Sequence, residues 1–235
     1  MKPYQTIAIR ECGEPLVSVP EEVFSLELPH PYAKLGAPYD DRSPFFLRRG
    51  IFDRLQAAQK ALQQQRPGWR IRIFDAYRPL AVQQFMVNYT FAEVVRSKQL
   101  SPEALTPQQR RDILDEVYRF WALPSLDRAT PPPHSTGAAV DVTLVDECDR
   151  EIDMGSPIDE LSERSYPNHF ADATTAAERQ FHENRQILAE AMTSAEFAQH
   201  PNEWWHFSYG DQLWAWLTQR STAIYGRGDE IAEIT

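Results

Sequence analysis

Apolar positions recur every three or four residues along several stretches of the chain and alternate singly along others. Leu47, Ile51, Leu55, Ala58 and Leu62 carry a helical period. Ser43 and Pro44 supply helix-start chemistry and Pro67 with Gly68 supplies a stop, which predicts a helix beginning at Ser43. "WRIRIFDAY" (69–77) alternates apolar and basic residues and predicts a half-buried strand. Pro79 opens a second predicted helix that runs to about Ser97, and Thr106 with Pro107 starts a third over 106–122. "AAVDVTLVD" (138–146) predicts a strand that is apolar on both faces. Residues 174–199 predict a long amphipathic helix with Phe181, Ile187, Leu188 and Ala191 on its apolar side. "EWWHFSYG" (203–210) and "LWAWLT" (213–218) read as late strands, the second turning Trp214 and Trp216 toward a core. The first 45 residues are rich in proline and turn formers and predict short strands and coil wrapped on the body. Residues from about 220 to 235 read as a loosely held tail. Helices and strands mix without a strict βαβ alternation, so the expected class is α+β, in one domain over 1–235.

Composition narrows the partners. The chain has 235 residues, 42% hydrophobic, enough for one substantial core. A net charge of −10 repels phosphate backbones and anionic lipid, which argues against nucleic acid and membrane surfaces. "MKPYQTIAIRECGEP" has no apolar stretch of signal-peptide type, and no apolar run reaches the roughly 18 residues a membrane helix needs. Cys12 and Cys148 lack metal-ligand spacing and read as buried thiols rather than a disulfide. A cytoplasmic, reducing setting is expected.

Three stretches carry chemistry. In "PPPHSTGAAVDVTL", His134 lies in a loop, Gly137 allows a sharp turn and Asp141 falls inside an apolar strand. A carboxylate buried there needs a cation or several hydrogen bonds. A histidine seven residues before an aspartate is commonplace alone. In "NEWWHFSYGD", however, His206 adds a second imidazole, and two imidazoles with one carboxylate leave a tetrahedral position open, as catalytic zinc requires. Glu203, three residues before His206, then has a reason to be near: a carboxylate can take the proton of a water that attacks a carbonyl. On a strand, residues three apart face opposite sides. Either the chain bends near Trp204 or Glu203 lies in the loop before the strand. Arg78 in "FDAYRP" sits at a strand end, either pairing with a surface carboxylate or stabilising an oxyanion.

Taken together these residues resemble the VanX-type D-alanyl-D-alanine dipeptidases, zinc enzymes of the peptidase M15 group. The family pattern SxHxxGxAxD followed by a distant ExWH is matched by "PPHSTGAAVD" (132–141) and "EWWHF" (203–207). "DAYRP" (75–79) is similar to the family's DGYRP, and "MGSPIDELSERS" (154–165) to its M-G-x-x-F-D-x-x-x-E-R-S segment. The resemblance implies one Zn²⁺ per chain on His134, Asp141 and His206, Glu203 as catalytic base, Arg78 as oxyanion partner, and Asp159 binding the free amino group of a dipeptide. It also implies a mixed, largely antiparallel sheet packed against helices, as in hedgehog-type and DD-peptidase zinc folds. Pro132 stands where the family often has a serine near the substrate amine, and the first 45 residues do not match its entry segment.

Two other functions share these motifs. One is a D,D-carboxypeptidase or endopeptidase on peptidoglycan peptides, which Asp159 argues against because a fixed carboxylate at an amine pocket favours a free N-terminus. The other is a zinc-stabilised binding module, which would not need Glu203. His30, His169, His182 and His200 have no partner in ligand register and read as structural or solvated, and Glu163 with Arg164 reads as a structural ion pair.

Overall fold

The computed structural model describes residues 2–40, 42–230 and 233–234. Its first half contains β1 (Ala8–Ile9), β2 (Leu16–Ser18), β3 (Ser25–Leu26), α1 (Pro31–Lys34), β4 (Phe46–Arg48), α2 (Arg49–Gln65), β5 (Arg70–Asp75) and α3 (Leu80–Ser97). There follow α4 (Pro107–Val117), β6 (Ala139–Val145), α5 (Ala176–Ser194), β7 (Ala198–Gln199) and β8 (His206–Ser208). The chain ends with α6 (Gln212–Leu217), β9 (Thr222–Ala223) and β10 (Glu233–Ile234).

The site rests on a five-stranded sheet in the order β3-β5-β6-β8-β7. β3 joins β5 in parallel, and every other pairing in this sheet is antiparallel. The class is therefore α+β with a mixed, largely antiparallel sheet. β6 is buried along its whole length, as its apolar run requires of a central strand. On β5 burial alternates, with Ile71, Ile73 and Asp75 buried, and with Arg70, Arg72 and Phe74 on the other face only partly so. α2 and α5 pack together over the sheet, and Ile51, Leu55, Ala58, Leu62, Leu188 and Met192 are fully enclosed in the main core. A second apolar cluster gathers Tyr32, Val82, Met86, Val87, Ile113 and Trp121 around α3 and α4.

Several expected elements change. The helix predicted from Ser43 begins at Arg49, because Phe46, Leu47 and Arg48 pair antiparallel with β2 as a buried strand. Ser43 instead accepts a hydrogen bond from the Phe45 N–H at 3.1 Å. The third helix starts as expected, with Thr106 and Gln109 capping each other reciprocally, but it stops at Val117. The long helix stops at Ser194, ahead of Glu196 at φ +70°, and residues 198–199 become the edge strand β7.

"LWAWLT" is a helix, not a strand. Gly210 turns the chain at φ +76°, and the Asp211 carboxylate accepts the Trp214 N–H at 2.7 Å as an N-cap. Leu213 and Ala215 face inward, whereas Trp216 is 44% exposed, so the expected tryptophan face does not exist. The tail is held where it is described: β9 pairs with β1, Tyr225 is buried, and β10 pairs with β2. Residues 231–232 and 235 of that tail lie outside the described residues. Cys12 and Cys148 are exposed free thiols, not buried ones. Arg164 pairs with Glu160 at 3.6 Å and donates to the Gly155 carbonyl, so the expected pair with Glu163 is replaced. No described helix is long and apolar enough to cross a membrane.

Candidate active site

Sheet register assembles the centre. Asp75, Asp141 and His206 stand in one row, because Asp75 is the Cα partner of Asp141 across β5–β6 and His206 is its partner across β6–β8. Residues directly opposite share a face of the sheet. His134 reaches the row from a 3-10 turn (Pro133–Thr136) that Gly137 ends at φ +71°. A Cβ at Gly137 would stand 2.4 Å from Leu16 Cδ2, so the turn excludes any side chain there. The buried Arg48 ties this turn down by donating to the Thr136 carbonyl at 2.8 Å, the Glu14 carbonyl at 2.7 Å and the Gly226 carbonyl at 3.1 Å.

Three side chains converge at this point. His134 Nε2 lies 3.1 Å from His206 Nδ1 and 3.2 Å from Asp141 Oδ2, and His206 Nδ1 lies 2.9 Å from Asp141 Oδ1. A tetrahedral zinc with bonds of about 2.0–2.1 Å separates its ligand atoms by roughly 3.3 Å, so the set has the dimensions of such a site. The tautomer fits as well. His134 Nδ1 donates to the Ala76 carbonyl at 2.8 Å, leaving Nε2 with its lone pair toward the centre. The residues present therefore suit a zinc ion. Among the described residues these three form a buried His/Asp/His group with all ligand atoms within 4.8 Å of one another.

Asp75, which the sequence reading passed over, is the anchor behind the set. It is completely buried, accepts from Arg78 Nε at 3.0 Å and Tyr39 Oη at 3.1 Å, and contacts His30 Nε2 at 3.0 Å and His134 Nδ1 at 3.3 Å. Burial pushes its carboxyl up, but Arg78, His30 and His134 outweigh burial and hold it at about 2. Inward carboxylates on an alternating strand were the available signal. Arg78 is itself buried, donating Nη1 to Gln83 Oε1 at 2.9 Å and Nη2 to Tyr32 Oη and Asp141 Oδ2 at 3.3 Å each. It lies 4.9 Å from the Trp121 ring centroid. The surface-arginine alternative is thereby removed.

Glu203 occupies the loop before β8, which resolves the spacing problem: being off the strand, it shares the side of His206. Its Oε2 is 3.8 Å from His206 Nδ1 and its Oε1 is 3.7 Å from His200 Nδ1. Burial first, and then the negative charge of Asp141, push the Glu203 carboxyl well above the usual carboxylate range. His200 is not a solvated residue. It lines the same cavity with its ring 5.6 Å from that of His206, and its Nδ1 accepts the Asn202 N–H at 3.2 Å. Burial, followed by His206 and Lys2, pushes its imidazole well below its ordinary value, so it stays neutral. His30 is structural, as expected, in the service of Asp75.

Asp159 faces the cavity from a left-handed backbone position, φ +66°, and accepts the Tyr32 hydroxyl at 2.8 Å. Burial and the neighbouring Asp141 raise its carboxyl to about 7. The tryptophans of the "EWWHF" stretch differ in task. Trp205 walls the cavity, whereas Trp204 packs into the main core and donates Nε1 to Ser156 Oγ at 3.0 Å. Lys2, Tyr4, Tyr32, Gln83 and Trp121 complete the surroundings, and none of them carries a local motif.

Two imidazoles and a carboxylate meeting at one point, beside a buried carboxyl of raised proton affinity, define the class as a metal-assisted hydrolase. A family model described as D-ala-D-ala dipeptidase, peptidase M15, matches residues 26–224. The D-alanyl-D-alanine dipeptidase of Synechocystis sp. is 48% identical over 239 residues, covering 97% of this chain and 97% of that protein. The Escherichia coli protein of the same name is 37% identical over 109 residues, 45% of this chain and 51% of that one. The solved structure of VanYB in complex with D-alanine-D-alanine aligns with 70% of this chain and 71% of its own at 18% identity and a TM-score of 0.42. This chain belongs to the peptidase M15 family of D-Ala-D-Ala dipeptidases.

Proposed function

We propose that this protein is a zinc dipeptidase that hydrolyses D-alanyl-D-alanine, or a similar dipeptide, with a free amino terminus. The observation that carries the reading is one cavity lined at once by His134, Asp141 and His206, by Glu203 and by Asp159. His134 Nε2, His206 Nδ1 and Asp141 would hold the ion. When bound there, zinc supplies Lewis acidity toward a carbonyl oxygen and toward water. Glu203 takes a proton from the attacking water at its carboxylate and hands it to the leaving amine, and its raised proton affinity suits both transfers. Arg78 retains one Nη1 hydrogen beyond that given to Gln83, available to the oxygen that becomes negative as the carbonyl is attacked. Asp159, steadied by Tyr32, receives the substrate ammonium. Trp205 and Trp121 exclude water around these groups. Exposed free thiols on Cys12 and Cys148 support a cytoplasmic, reducing setting.

The test is a substrate panel: D-Ala-D-Ala, L-Ala-L-Ala, N-acetyl-D-Ala-D-Ala and a peptidoglycan pentapeptide ending in D-Ala-D-Ala. Turnover concentrated on the free D,D-dipeptide is expected. Faster release of D-Ala from the blocked or longer substrates would replace this reading with a carboxypeptidase.

A further inference from the structure

A dipeptide with two free ends presents a second charge, its carboxylate, and the residues discussed so far leave that end without a partner. We propose that Lys2 receives the substrate α-carboxylate and so sets the length of the substrate from the C-terminal side. The inference rests on the dipeptidase reading above.

Lys2 lines the same cavity as His134, Asp141, His206 and Glu203. Its backbone N–H is held by Gln5 Oε1 at 2.8 Å. The 3-10 turn that follows it (Pro3–Thr6) packs against α6, where Gln212 Nε2 donates to the Ile7 carbonyl at 2.6 Å and the Ala129 carbonyl at 2.9 Å. Tyr4, in that turn, is buried. The lysine is thus carried by an anchored segment. Its ammonium makes no ion pair or hydrogen bond with a described residue, although Lys2 is only partly exposed and near enough to Glu203 to feel that charge. An ammonium held in this way beside a reaction centre is short of an anion.

The polarity of the cavity matches a zwitterion. Asp159 and Tyr32 belong to the flank that continues under α3, with Met86, Thr90 and Trp121. Lys2 and Tyr4 belong to the other flank, which continues past His200 and Leu213 toward Trp216. The metal set and Glu203 lie between the negative and positive flanks. An extended dipeptide spans at most about 7 Å, so a substrate whose amine meets Asp159 and whose carbonyl meets the centre directs its carboxylate away from Asp159, to the Lys2 side. The first ten residues fall outside the span matched by the family model, so this cation is contributed by a part of the chain that the motifs do not include.

The experiment compares D-Ala-D-Ala with its C-terminal amide in the parent protein and in Lys2→Met and Lys2→Arg, with zinc content and melting temperature measured for each. The parent should prefer the free acid, and Lys2→Met should raise KM for it by on the order of 10- to 100-fold, the usual worth of a hydrogen bond to a charged group. The main change should be in KM rather than kcat, turnover of the amide should be little altered, and Lys2→Arg should restore most of the preference. Equal use of acid and amide by the parent, or an unchanged KM in Lys2→Met, overturns the assignment of Lys2 alone. Failure of the zinc-loaded parent to cleave either compound overturns the dipeptidase reading and this inference with it.

Discussion

Asp141 and His206 are direct partners across the antiparallel pair β6–β8, and their side chains meet at 2.9 Å. Neither residue is close to the other in sequence. The pairing of two strands makes them neighbours, and a slip of one residue would turn His206 to the opposite face and dismantle the metal set. Expected behaviour in solution follows from this arrangement.

Removing metal should cost both activity and stability. Ligand that binds only the folded state stabilises it by mass action, so a chelator should lower the melting temperature as it abolishes turnover. Added Zn²⁺ should restore both, with one zinc per chain by elemental analysis. Full activity in metal-free protein would rule the mechanism out.

Glu203→Gln and His206→Gln should separate base from ligand. The first keeps the metal set and should retain zinc, yet lose on the order of 10²–10⁴ in kcat for want of a proton acceptor. The second removes Nδ1 from the centre and should lose zinc and turnover together. Wild-type rates in Glu203→Gln would reduce Glu203 to a polar loop residue.

Asp159 gives a pH dependence with a defined sign. Its carboxyl is raised to about 7, and the ionised form is the one that attracts an ammonium. KM for free dipeptides should therefore rise as pH falls through about 7. Asp159→Ala should raise KM at neutral pH, flatten that dependence and leave zinc content normal. An unchanged KM–pH profile in the variant would remove Asp159 from amine recognition.

Asp75 should be the most costly of these carboxylates to lose. Asp75→Ala leaves the buried Arg78 without its main counter-charge, a change worth about 3–5 kcal/mol of folding stability. It should also weaken zinc binding, because Asp75 touches His134. The folded-state value of about 2 lies below the ordinary 3.8, so the carboxylate contributes roughly 2 kcal/mol that is complete above pH 3.8 and is lost as pH falls through 2. Chemical denaturation at pH 7, 4 and 2.5 measures both. A variant as stable as the parent at every pH would show that the pair is not structural.

Local physics was legible in the chain. The alternation in "RIRIFD" and the apolar run around Asp141 identified β5 and β6, because burial on one face or both leaves its period in the sequence. The spacing of Ile51, Leu55, Ala58 and Leu62 located α2 for the same reason, and Thr106 with Pro107 marked the start of α4. Asp141 stood out as a carboxylate in an apolar strand and Glu203 with His206 as polar residues around two tryptophans; His134, commonplace alone in its loop, gained weight only as a second imidazole beside them, and the structure brings all four together.

Long-range pairing decided the rest. Partnership with β2 turned Phe46–Arg48 into a strand despite helix-start residues just before it, and a turn at Gly210 with an Asp211 cap made α6 helical despite alternating tryptophans. Asp75, Tyr32 and His30 gain their roles from contacts as remote as the 127 positions between Tyr32 and Asp159. No local period or motif encodes such contacts. Sequence by itself determined which segments could bury a face and which side chains could do chemistry. Tertiary structure decided which of those side chains share a cavity, because strand register and the anchoring of the first residues are settled only when distant segments close on one core.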